Sequence, residues 1–173
     1  MGGYTILRYF VLGFLPFIAI FLESTFFRTY SLFGNVPDLV LIFVVFYAFL
    51  NGDNKGAVYG FLCGLLEDLY MGRFIGVNAL SKGITGFIIG RLQVRYFNEN
   101  LLVGLLVVLI GTVLNSLFML ALGLSTFKIF NLDTSIISAS IFQSLYNLLL
   151  AVPIYILYYN SFQQGLLNST GER

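Results

Sequence analysis

The sequence predicts an all-α, polytopic membrane bundle of about six transmembrane helices, and three observations lead there. Only 10% of the 173 residues are charged while 58% are hydrophobic, and mean hydropathy is +0.91. A water-facing domain carries about a quarter charged residues, so this surface is matched to lipid. The apolar residues fall into long runs separated by short polar links. At roughly 20 residues per crossing the length accommodates five or six spans in a single domain. The third observation is a four-residue spacing of glycines, Gly56, Gly60 and Gly64, that runs on to Asp68. On a helix these positions share one face, and a glycine line is how membrane helices approach closely.

The spans are expected at about 6–27, 36–50, 56–71, 74–92, 101–124 and 134–159. The first has Arg8 and Arg28 at its ends and aromatic residues at both edges, as bilayer interfaces favour. Pro16 inside it frees the carbonyl of Leu12 and should kink the helix. Pro37 and Asp38 open the second span. Proline suits a first helical turn, and an acid there faces the positive end of the helix dipole.

Asn51 to Lys55 reads as a turn, with Asp53 or Asn54 as candidate caps for the third span. That span carries the glycine line and ends in Glu67 and Asp68. Gly72 and Gly76 follow, and the fourth span then bears Asn78, Lys82 and a second close-approach pair, Gly86 and Gly90. Lys82 lies about two turns inside, where an amine needs a partner or must snorkel. The fifth span is nearly featureless apart from Asn115 and Ser116. The sixth carries Gln143 and Asn147 ahead of Pro153.

Several chemistries are excluded or disfavoured. There is no histidine, and Cys63 is the single cysteine, so imidazole catalysis, an internal disulfide and the usual zinc sites are absent. The net charge of +1 offers no nucleic-acid surface. Ser125 and Lys128 match a Ser-x-x-Lys pattern without its companion elements. Glu67 and Asp68, adjacent on a helix, point about 100° apart and so do not address one site together. No catalytic, cofactor or metal residue is expected.

With six spans, Arg8, Lys55, Arg91, Arg95 and Arg173 share one side, against Arg28, Arg73 and Lys128 opposite. The positive-inside rule then places both termini in the cytoplasm. Glu23, Asp38, Glu67, Asp68, Arg73, Asn78 and Lys82 would collect in the outer half of the membrane. Charges gathered at one depth are expected to pair. Lys82 with Glu67 or Asp68 is the expected pair.

Val36-Pro37-Asp38-Leu39, then Gly56, Gly60, Gly64-Leu65 and Asp68, then Gly72, Gly76, Asn78 and Leu80, resemble the MreD family of bacterial rod-shape proteins. The motif-bearing part covers about 37–92, while size and span order agree over essentially the whole chain. The resemblance implies a non-enzymatic scaffold in the bacterial cytoplasmic membrane that organises lateral peptidoglycan synthesis. Its implied partners are the lipid bilayer, a single-span MreC-like protein and, through it, the MreB filament and the peptidoglycan synthases; a homodimer stays open. By motif it marks Pro37, Asp38, Gly60, Gly64, Asp68, Gly72, Gly76 and Asn78. Glu23, Glu67 and Lys82 join the polar cluster, and Gly56, Gly86 and Gly90 the packing set, on physical grounds. The alternative is a solute-binding subunit similar to the S components of energy-coupling-factor transporters, which also have six helices. Against that, the first span lacks the small-xxx-small contact for an energising subunit, since Gly13 and Ala19 are six apart.

Overall fold

The computed structural model describes residues 2–31, 34–72, 74–96, 101–127 and 134–163. Arg73, Lys128 and Arg173, which enter the charge count above, lie outside them. Six α-helices follow one another: α1 (Gly2–Leu22), α2 (Leu39–Asn51), α3 (Asp53–Met71), α4 (Val77–Tyr96), α5 (Leu101–Phe127) and α6 (Thr134–Gln163). A five-residue π-helical turn, Glu23–Phe27, extends α1. The described residues contain no β-strand.

The bundle is built around α2. This helix contacts each of the other five, and every residue from Leu39 to Leu50 except Phe43 is buried. At 1.5 Å per residue its 13 residues span about 20 Å, short of a hydrocarbon core of about 30 Å. It therefore begins inside the protein. That placement has a consequence for chemistry, because the first amides of a helix have no partner within the helix. At membrane depth such groups are tolerated only where protein satisfies them.

Among the described residues, three stretches are long and apolar enough to cross a membrane alone: Phe10–Phe27, Leu101–Leu122 and Ser138–Leu157. They belong to α1, α5 and α6 and expose large side chains such as Phe14, Phe21, Leu106 and Leu149. α3 and α4, which carry more glycine and charge, pack most extensively against one another.

The glycines explain that pairing. A Cβ on Gly56 would lie 2.5 Å from Ala48 Cβ and 2.7 Å from the carbonyl oxygen of Gly86. On Gly60 or Gly64 it would overlap the backbone of Lys82 or Asn78 on α4. Gly86 in turn meets the Gly56 carbonyl, and Gly90 meets the backbone at Gly52 and Asp53. Backbones in contact gain dispersion energy over their whole length, and only glycine permits it. Gly72 and Gly76 serve differently: no atom lies near their Cβ positions, and their φ angles of 65° and 106° shape the α3–α4 turn.

One local expectation needs correction. The α2–α3 joint is tighter than the five-residue turn Asn51–Lys55. α3 starts at Asp53, directly after Gly52, and no side chain caps it. The Asp53 carboxylate instead accepts from the amide of its neighbour Asn54 at 2.8 Å. Close approach of Gly90 to this corner removes the room a longer turn would need. The carbonyl of Leu12, freed by Pro16, is not left to a bend alone, because Tyr59 Oη donates to it at 3.1 Å.

Candidate functional site

The charged residues gather where α2 begins. Asp38 is the N-cap of α2, and its Oδ1 accepts from the Leu41 amide at 2.7 Å. Glu23, reaching across from the π-helical turn, accepts from the amides of Leu39 at 2.5 Å and Val40 at 3.2 Å through Oε1. Asn147 of α6 accepts from the Asp38 amide through Oδ1 at 2.8 Å. Each amide from Asp38 to Leu41 thus has a side-chain acceptor. Two of the acceptors are acids facing the positive end of the helix dipole. The π-helical turn widens α1 at Glu23, a distortion that commonly marks a constrained position.

Lys82 comes from α4 and lies between two carboxylates. Its Nζ is 2.8 Å from Asp38 Oδ2 and 2.6 Å from Glu67 Oε2. The side chain is 1% exposed, so the amine is paired within the bundle and does not snorkel. An ammonium removed from water requires compensation of this quality. One lysine therefore links α2, α3 and α4.

Asp68 takes no part in that pair. Its two oxygens accept from the amides of Gly76 (2.8 Å), Asn78 (3.1 Å) and Ala79 (3.1 Å), and from Asn78 Nδ2 at 2.9 Å. It caps α4 from α3. Glu67 and Asp68 diverge around the helix as neighbours must. The first meets Lys82, and the second meets a helix end.

The remaining polar residues extend the network. Asn147 Nδ2 donates to Thr112 Oγ1 at 3.1 Å, and Thr112 donates to the Val108 carbonyl at 2.9 Å. Ser81 donates to Asn115 at 2.6 Å, joining α4 to α5. These hydrogen bonds hold the packing arrangement in register, while Thr85 Oγ1 is buried with no hydrogen-bond partner among the described residues. Pro37 precedes the cap and does not enter the network through hydrogen bonds. It lines, with Glu23, Arg28, Asp38, Glu67, Tyr70 and Gln143 among others, a cavity of about 780 Å³ at this end of the bundle.

Asn147 and Thr112 escaped the sequence reading as site members. A lone Asn amid the apolar stretch 145–151 was the available signal, since an amide at membrane depth needs a partner. The glycine line Gly56, Gly60, Gly64 is covered by α4, so it is an internal contact and not a free docking face for another protein's helix.

Glu23, Asp38 and Glu67 bring carboxylate oxygens within 4.8 Å of one another, a spacing a cation could use. Lys82 already supplies a cation between two of them. Cys63 is 1% exposed and is not among the residues that line the cavity.

Fold and site together define a class: a multi-pass α-helical membrane protein whose buried charges hold helix ends and cross-link helices. Within that class the chain belongs to the MreD family. The family model for rod shape-determining protein MreD matches residues 4–164, nearly its whole length. It is thus a membrane protein of a family involved in determining rod shape. No curated protein and no solved structure matches it significantly.

Proposed function

We propose that the chain is a non-enzymatic scaffold of the cell-wall elongation machinery, seated in the bacterial cytoplasmic membrane with both termini in the cytoplasm. It organises lateral peptidoglycan synthesis together with a single-span MreC-like protein, and through it with the MreB filament and the synthases. The family match over residues 4–164 carries this reading. The polar chemistry supports it, since the buried acids and the lysine are occupied by helix amides and by one another. Groups so engaged stiffen a framework.

Depletion of the protein in a rod-shaped host, followed by complementation, tests the reading. Cells should round up on depletion, recover with the wild-type chain, and yield the MreC-like protein on affinity purification from membranes. Unchanged rods, or co-purification with energy-coupling ATPase subunits, would sink it. The latter result would favour the solute-binding alternative, for which the cavity at the start of α2 is the supporting observation.

A further inference from the structure

We propose that the cavity at the start of α2 binds a primary alkylammonium group next to an anion, the chemistry of an ethanolamine phospholipid headgroup. The inference goes beyond the scaffold reading and does not depend on it.

Charge is the first argument. Glu23, Asp38 and Glu67 converge within 4.8 Å, and among the described residues Lys82 is the one ammonium paired there, with Asp38 and Glu67. Helix α2 offsets part of the surplus through the amides that Glu23 and Asp38 accept from. Acceptor capacity still remains. Glu67, 4% exposed, lines the cavity, but its Oε2 is closed to solvent and paired with Lys82, so the capacity lies with Glu23. Glu23 engages α2 through Oε1 alone. Surplus carboxylate in a poorly solvated place is relieved by a proton or by a bound cation.

Space selects the cation, and its lining selects the kind. A proton fills no volume, whereas the cavity measures about 780 Å³. A bare divalent ion among the same oxygens would sit against the Lys82 ammonium and leave most of that volume empty. An alkylammonium carries one charge and three donors, matching a carboxylate that still accepts. Tyr70 is among the residues that line the cavity. Arg28, at the rim of the cavity, suits a phosphate beside the ammonium.

Depth favours the lipid. The spanning stretch of α1 ends at Phe27, and the cavity is lined by Glu23, Ser24 and Arg28 from that end. This is where a span meets the headgroups, so an ethanolamine headgroup can enter while its acyl chains stay in the bilayer. A water-soluble phosphoethanolamine presents the same two charges, and the experiment separates the two sources.

The purified protein is to be analysed by native mass spectrometry in detergent with dioleoyl phosphatidylethanolamine, dioleoyl phosphatidylcholine or free phosphoethanolamine added. The trimethylated choline headgroup keeps the charge and loses the N–H donors. Retention of the ethanolamine lipid should exceed that of the choline lipid by about tenfold, the scale of a charge-assisted hydrogen bond. Glu23→Gln, which keeps an acceptor for the α2 amides, should remove most of that preference. Alkylation of buried Cys63 reports whether the variant is folded. Should Glu23→Gln prove unfolded, Arg28→Gln decides through lower retention of both phospholipids, since Arg28 faces the phosphate they share and is exposed and outside the ion-pair network. Competition by millimolar phosphoethanolamine would assign the same chemistry to a soluble ligand, and its failure to compete would assign it to the lipid. Equal retention of both lipids, a preference unchanged in folded Glu23→Gln, or undiminished retention in Arg28→Gln overturns the proposal.

Discussion

Lys82 illustrates how one residue can decide a membrane fold. Its amine is a liability at this depth, and it is tolerated because Asp38 and Glu67 hold it from two helices. Replacing it with Met leaves both carboxylates facing each other without a cation. Breaking a buried pair from one side costs about 3–5 kcal/mol. Lys82→Met should therefore lower the thermal midpoint of Cys63 alkylation markedly, and Lys82→Met with Asp38→Asn and Glu67→Gln should recover most of the loss. An unchanged midpoint in the single variant would contradict the ion pair. Asp68 obeys a different rule, because it caps α4 and pairs with no cation. Asp68→Ala should cost at least the roughly 1–2 kcal/mol of a lost cap. Asp68→Asn, which keeps acceptors, should be milder, and Lys82→Gln should rescue neither. Rescue in the same alkylation assay would show that Asp68 senses the lysine after all.

Among the elements, α3 and α4 form the inner hairpin that the glycines make possible. Gly60 and Gly64 face α4 backbone without room for a methyl group. Their replacement by Ala should destabilise the protein by about 1–3 kcal/mol, the range for overpacking. Gly83→Ala on the neighbouring face meets Phe61 only at an ordinary 3.4 Å and should be nearly neutral. The same contrast of midpoints would fail if all three variants behaved alike. α2 depends on neighbours in another way. Short and wholly enclosed, it receives its end caps from α1 and α6 as well as from itself. Asn147→Leu should thus perturb α2, a helix distant in sequence, and faster hydrogen exchange at the Asp38 amide would reveal it.

For the whole molecule, α1, α5 and α6 carry the long apolar stretches, α2 is the apolar core, and the buried polar side chains come from α3, α4, α5 and α6. The hydrogen bonds and ion pairs of these residues tie α2 to α1, α3, α4 and α6, and α5 to α4 and α6. The proposed orientation predicts that a reporter fused after Arg173 is active only in its cytoplasmic form. Activity of a periplasm-dependent reporter at that position would invert the topology and place the cavity on the inner face.

Composition and apolar run lengths were enough to establish a helical membrane bundle, because the solvent of a surface is written in its residue types. The glycine spacing likewise exposed the close-packed face, since helical period alone aligns Gly56, Gly60 and Gly64. Sequence also marked Glu23, Asp38, Glu67, Asp68, Asn78 and Lys82 as residues needing partners. It could not say which partners. Lys82 was equally near to Glu67 and Asp68 along the chain, and the rotation of α3 against α4 awarded it Glu67. Its second carboxylate, Asp38, lies 44 residues away, and Asn147 is 109 residues from the amide it accepts. Contacts that distant exist only once helices have packed. A residue type carries its need for compensation within the sequence, whereas the group that satisfies it is set by three-dimensional proximity.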